Sequence, residues 1–135
     1  MTNAVLYMHS DAIDTSGPQL MGRHSAGESF LRGFLRHADV EQFYFYNAGG
    51  QSYSGLNAMI ERIQPPSKPV KWIPPKDRAL IEIAGCLSYP MPALPNEAWA
   101  RLPFGSARYS ICGITHTTAS QRIMDTLADF ATSPV

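Results

Sequence analysis

The residues of this sequence best suited to chemistry are two histidines, each placed behind an apolar run. His9 follows Ala4-Val-Leu-Tyr-Met8, and His116 follows the stretch from Tyr109 to Thr115. An imidazole titrates near neutral pH and can hold, give or accept a proton there. His116 lies in Thr115-His-Thr-Thr-Ala-Ser120, between an apolar run and a helical pattern. Free backbone N–H groups at a helix start favour anions and hydroxyl-rich ligands. Structural roles compete: His9 as a strand-end residue bonded to backbone is the commoner case, and for His116 the two readings balance.

Between the first apolar run and the first helical pattern come Gly17, Gly22 and Gly27, with Arg23 and His24 among them. Glycines there let a backbone approach a ligand closely, and Arg23 and His24 could meet a phosphate or a sugar hydroxyl. Their spacing is neither the Gly-x-Gly-x-x-Gly dinucleotide fingerprint nor a phosphate loop ending in Gly-Lys-Ser/Thr, so nicotinamide and nucleoside-triphosphatase chemistry lack their defining residues. Asp11 and Asp14 could orient His9 or simply make Asx turns. His9, Asp11, His24 and His116 have no metal-ligand spacing, and neither a metal nor a cofactor is expected. Ser25 and Ser120 lack the nucleophile elbow.

The elements that must position these residues follow from periodicity. Ala4 to Met8 reads as a buried strand. Glu28 to Ala38 reads as a helix with Phe30, Leu31, Phe34, Leu35 and Ala38 on one face, capped near Ser25. Its other face carries Arg32 and Arg36, which could meet anionic lipid or water, with water preferred. The aromatic stretch Val40 to Tyr46 is a buried strand ended by Asn47-Ala-Gly-Gly50. Tyr53 to Ile63 is a helix closed by Pro65-Pro66, and Val70 to Ile73 is a short strand. Ala79 to Ala84 could be either strand or helix. Four prolines make Leu87 to Pro103 mostly loop, with at most one short helix from Glu97 to Leu102. Tyr109 to Thr115 is the last strand, and Ala119 to Ala131 the last helix, capped by Thr117 or Thr118. Alternating strands and helices predict an α/β domain, Rossmann-like and three-layered, with a mainly parallel sheet. In such sheets ligands bind beyond the carboxyl ends of the strands, where His9 and His116 would face one cleft if their strands lie near each other.

Composition bounds the rest. The 135 residues allow one domain, residues 1–135, and at 44% hydrophobic and 16% charged they can bury a core. Eleven basic residues balance eleven acidic ones, so the basic excess of a nucleic-acid binder is missing. No apolar run spans a bilayer and no secretory leader is present, which points to the cytoplasm. Cys86 and Cys112 stand in apolar stretches and read as reduced core thiols. The low charge suggests a face that meets a partner, and the ending Thr132-Ser-Pro-Val135 reads as the start of a connection.

The segment Met21-Gly-Arg-His-Ser-Ala-Gly-Glu-Ser-Phe-Leu-Arg-Gly-Phe-Leu, the order of strands and helices, and Ile111-Cys-Gly-Ile-Thr-His-Thr-Thr together resemble the N-terminal domain of retaining GT-B glycosyltransferases of the broad family four. His24 stands where that family often has an aromatic ring. The resemblance implies that Gly22, Arg23 and Gly27 lie beside donor phosphates or acceptor. It also implies that His116, at the catalytic centre, lies near the transferred sugar and helps position donor or acceptor. His9, His24 and Thr117 complete the expected substrate-binding set. The implied ligands are a nucleotide-sugar donor and a sugar or glycoconjugate acceptor. The donor's charge is handled largely by a C-terminal domain expected to be absent here, so this chain is expected to be inactive alone, with an exposed interdomain face that could pair two copies. The alternative is a self-sufficient α/β module that binds a ligand or protein without catalysis. A small oxidoreductase ranks third, for want of its fingerprint.

Overall fold

The computed structural model describes residues 3–10, 22–115 and 120–134. Five short parallel strands form one sheet: β1 (Val5–Met8), β2 (Phe43–Asn47), β3 (Val70–Ile73), β4 (Cys86–Tyr89) and β5 (Ser110–Gly113). Their spatial order is β3-β2-β1-β4-β5, with every neighbouring pair parallel. The helices are α1 (Gly22–His37), α2 (Tyr53–Ile63), α3 (Leu94–Arg101) and α4 (Gln121–Ala128), with a 3₁₀ segment over Pro75–Ile83. This is a Rossmann-like α/β domain of three layers.

Side chains alternate across each strand, so the sheet has two faces, each with its own core. Leu6 and Met8 of β1 and Phe43 and Phe45 of β2 pack against Leu31 and Leu35 of α1 and Ile60 and Ile63 of α2. Val5, Tyr46, Ile73 and Leu87 face the other way, against Ile81 of the 3₁₀ segment and Tyr109. On that second face α3 packs on β5, and α4 packs on α3. Gly85, at φ 78°, turns the chain from the 3₁₀ segment into β4, a conformation a side chain would strain.

Among the described residues only half of the first face is covered. Register aligns Leu6 with Ser88, Ser88 with Cys112 and Cys86 with Ser110, so these residues share the side on which α1 and α2 lie. Cys112 and Ser110 are exposed and Cys86 and Ser88 half-buried. The expectation of core thiols is corrected: both cysteines are free and stand on this open half of the sheet. Burial, then the neighbouring Cys112, pushes the Cys86 thiol up.

Several boundaries differ from the sequence reading. α1 starts six residues before Glu28, at Gly22, so Ser25 lies inside it rather than at its cap. The expected loop from Leu87 to Pro103 contains β4, a central strand, followed by α3. The ambiguous stretch Ala79 to Ala84 is mostly 3₁₀ helix. α4 is capped by Ser120, whose hydroxyl accepts a hydrogen bond from Ile123 N at 3.3 Å. Thr117 and Thr118, named as caps above, lie outside the described residues. Tyr53–Ile63 and Val70–Ile73 match to the residue. Arg32 and Arg36 hold α1 to the end of α2: Arg32 Nε donates to Ile63 O at 3.3 Å and Arg36 Nη2 to Gln64 Oε1 at 3.1 Å. Arg32 also pairs with Glu28 at 2.7 Å, one helical turn earlier.

Asn47, 1% exposed, ends β2 and closes the turn to α2. Its Nδ2 donates to Gln51 O at 2.8 Å and its Oδ1 accepts from Gln51 N at 2.9 Å. Alanine at position 47 would take both partners from the partly buried Gln51 main chain. A loss of about 2 kcal/mol is expected, read as a lower denaturant midpoint at unchanged slope.

Candidate functional site

A parallel sheet leaves its ligand crevice where the chain reverses its direction of winding. Here that point lies between β1 and β4, because β2 and β3 extend from one side of β1 and β4 and β5 from the other. A small cleft of about 40 Å³ opens there, between the first turns of α1 and the carboxyl ends of β1 and β4. Leu6 and Met8 form its floor, with Ala26, Gly27, Phe30 and Leu31 of α1 along one wall. Ser88 and Pro90 of β4 and Ile114 beyond β5 close the far side. Tyr7 borders the cleft through its main chain, since its ring packs on the opposite face against Tyr46 and Tyr89. Among the described lining residues none is charged, and of those whose side chains lie on this face Ser88 supplies the hydroxyl.

Sequence reasoning found part of this cleft. Gly27 does line it, but as a residue of α1 rather than of a loop. Gly22, Arg23 and His24, also expected in that loop, form the first turn of the same helix. His24 is half-buried and outside the lining, and the Arg23 side chain is outside the described residues. His9 stands directly after β1, as expected, but its ring leans toward β2: a Cβ on Gly49 would fall 3.1 Å from its Cδ2 and 3.2 Å from its Nε2. Next to it, Gln51 Nε2 donates to Ser10 Oγ at 2.7 Å and Ser10 N to Gln51 Oε1 at 3.1 Å, so the turn after β2 is tied to the end of β1. β4 lies between β1 and β5, so the strand ends behind which His9 and His116 stand are not neighbours. His116 and Thr117, like Asp11, Asp14 and Gly17, lie outside the described residues.

The part of the cleft that sequence reasoning missed is its β4 side. Ser88 and Pro90 were assigned to loop, yet Cys86-Leu-Ser-Tyr89 alternates, with Leu87 and Tyr89 buried. That alternation just before a proline was the available signal.

Below the cleft, on the other face, lies a buried polar cluster. Arg78 of the 3₁₀ segment pairs with Glu97 of α3, and its guanidinium lies 5.0 Å from the Tyr46 ring centroid. Tyr46 Oη donates to Pro75 O at 3.0 Å. Burial alone would lower Arg78, but the hydrogen bond and charge of Glu97 reverse this and hold the guanidinium protonated. Burial is also the main cause that raises Tyr46 and Tyr89. Tyr7 is pushed up to about 12, first by burial and then by Tyr89, Glu97 and Tyr46. The folded state therefore keeps the Tyr7 proton longer than the unfolded chain, whose tyrosines titrate near ~10. This contribution to stability is complete below about pH 10 and is lost as pH rises through about 12. A tyrosinate absorbance titration alongside unfolding at several alkaline pH values is expected to show both the late transition and the falling stability. A Tyr7→Phe variant should lose the late transition.

Among the described residues no group of three or more His, Cys, Asp or Glu could hold a metal, and no helix is long and apolar enough to cross a membrane. These features define a doubly wound α/β domain with a neutral, mainly apolar crevice at its winding switch. No family model matches the chain, and neither a curated protein nor a solved structure does.

Proposed function

We propose that this chain is the acceptor-side domain of a sugar transferase, and that the β1–β4 crevice is where the acceptor docks. The observation that carries the proposal is the cleft itself. It opens at the strand ends where doubly wound domains take ligands, and Ala26, Gly27, Phe30 and Leu31 of the segment resembling the glycosyltransferases form its wall. Two further features support the reading. The strand order is what an N-terminal Rossmann-like half would have. A cleft whose described lining residues carry no charge suits an uncharged acceptor better than a diphosphate, which needs cations or free helix N–H groups.

In this reading the chain binds and orients the acceptor hydroxyl, and a partner domain supplies the nucleotide-sugar and the groups that stabilise the departing diphosphate. His116 remains the residue proposed to stand nearest the transferred sugar. The neutral lining also favours, as a second reading, a module that binds its ligand without catalysis.

The test is an NMR titration of the labelled chain with acceptor sugars, nucleoside diphosphates and sugar nucleotides, following the amides of Gly22, Gly27, Ile114 and His116. Shifts at Gly27 and Ile114 with an acceptor, and weak or absent nucleotide binding, are the expected result. Tight nucleotide binding would overturn the acceptor-side assignment. Turnover of a nucleotide-sugar by the chain alone would overturn its dependence on a partner domain.

A further inference from the structure

We propose that Cys86 and Cys112 form a two-thiolate site for one copper(I) ion, on the half of the first sheet face left open among the described residues. The strand register carries this. Cys86 pairs with Ser110 and Ser88 with Cys112 across β4 and β5, so the four residues make two rungs on one face. Each rung holds one thiol and one hydroxyl, and the hydroxyl can donate a hydrogen bond to the thiolate beside it. Both cysteines are free, Cys112 exposed and Cys86 half-buried, so an ion can reach them from solvent. The two thiols also lie within electrostatic reach, because Cys112 follows burial among the causes that push Cys86 up.

Geometry decides between a disulfide and a bound ion. One strand across and two residues along puts the two Cα atoms about 8 Å apart, from a rise of ~3.3 Å per residue and a strand spacing of ~4.8 Å. Beyond ~7 Å a disulfide forms only if the backbone moves. β4 is held against that movement, since it also pairs with β1 on its other edge and buries Leu87 in the second core. An inserted ion closes the gap instead, because two metal–sulfur bonds of about 2.3 Å each join sulfurs roughly twice that far apart.

The donor set selects the ion. Among the described residues no three His, Cys, Asp or Glu come together, so zinc, which takes four ligands, lacks its set. Thiolates favour soft ions, and copper(I) is satisfied by two of them. On binding, each thiol releases its proton to solvent and its sulfur donates a lone pair to the ion. Copper stays in the +1 state, no electron is transferred, and the bound site carries one net negative charge. This assignment is independent of the acceptor reading, which concerns the crevice between β1 and β4.

The experiment is an anaerobic titration of the reduced chain with copper(I) against a chromophoric copper(I) chelator, with Cys86→Ser, Cys112→Ser and the double variant in parallel. One ion per chain is expected. Each single variant should lose about a hundredfold or more in affinity, since the second sulfur binds intramolecularly once the first has bound. The double variant should not compete with the chelator. Two displaced protons predict a fall in affinity of about a hundredfold from pH 7 to pH 6, against about tenfold for one. The native chain also gives a readout that needs no variant. Adding the diamagnetic ion is expected to shift the amides of residues 86–88 and 110–113. Single variants as tight as the native chain, one ion shared by two chains, copper retained by the double variant, or shifts centred elsewhere would each overturn the proposal.

Discussion

Replacing Glu97 by alanine is expected to destabilise the domain by about 3–5 kcal/mol, the usual cost of stranding one member of a buried ion pair. Glu97 is 8% exposed at its side chain and Arg78 is 15% exposed. Without the carboxylate, the guanidinium would stay protonated between the Tyr46 ring and the second core, with no counter-charge. Against a typical total of ~5–15 kcal/mol this is enough to leave a measurable unfolded fraction at moderate temperature. Two companion measurements separate the charge from the packing. The double variant Arg78→Met/Glu97→Leu is expected to recover much of the loss, because an apolar pair of similar volume removes the stranded charge. The Tyr7 transition should move down from about 12 in Glu97→Ala, since the carboxylate is one of the causes that raise it. A double variant no more stable than Glu97→Ala would show that the stranded charge is not the source of the loss.

The second large effect is expected at Gly113, the last residue of β5. A Cβ there would lie 2.5 Å from Leu94 Cδ2 and 2.7 Å from the main-chain oxygen of Met91. The leucine can turn aside, but the Met91 carbonyl is held in the connection from β4 to α3 and cannot. Overpacking of this kind costs about 1–3 kcal/mol for a methyl group, and a branched side chain should exceed that. Gly113→Val is therefore expected to combine a stability loss above 3 kcal/mol with loss of ligand response at Ile114, because the end of β5 must move outward. Gly33 makes the contrast. It lies inside α1 with nothing within 4 Å of a built Cβ, so Gly33→Ala should stabilise by about 0.5–1 kcal/mol through the helix backbone alone. Equal effects from the two substitutions, seen in thermal midpoints, would refute the close-approach argument.

Where the chain carried strong local signals, the sequence predicted its own structure. In Tyr53–Ile63, the buried Leu56, Ile60 and Ile63 repeat at helical spacing and a proline pair stands just beyond, so both ends were legible. β2 was legible as a buried aromatic strand, although it begins at Phe43 and not Val40. The start of α1 was not, because Gly22-Arg-His-Ser-Ala-Gly27 is weak in helix formers and packing against the sheet overrides local preference. β4 was missed because its outward residues, Cys86 and Ser88, face the uncovered half of the sheet and its inward ones are only two. Missing β4 hid the far wall of the cleft. It also hid the Arg78–Glu97 pair, whose members come together only when the 3₁₀ segment and α3 cross the same face. The strand-end location of the site was legible from fold class alone, but which way His9 leans depended on Gly49, a contact across two strands.

The position of β1 at the centre of the order β3-β2-β1-β4-β5 bears on how the chain acquires its shape as it is synthesised. One edge of β1 finds Tyr44 and Phe45 of β2 while the chain is still short, and β3 can follow at once. The other edge must wait for Leu87 and Ser88, roughly 80 residues downstream, and such a distant pairing is slow. Until then Val5 and Leu6 lie beside an open strand edge, ready to pair with any extended chain nearby. The early unit β1-α1-β2-α2-β3 can assemble its own core around Leu31, Phe45 and Ile60, whereas the crevice cannot exist before β4 arrives. The crevice is thus a late product of folding, and a ligand that fitted it would act on the newborn chain as a fastener for its last step.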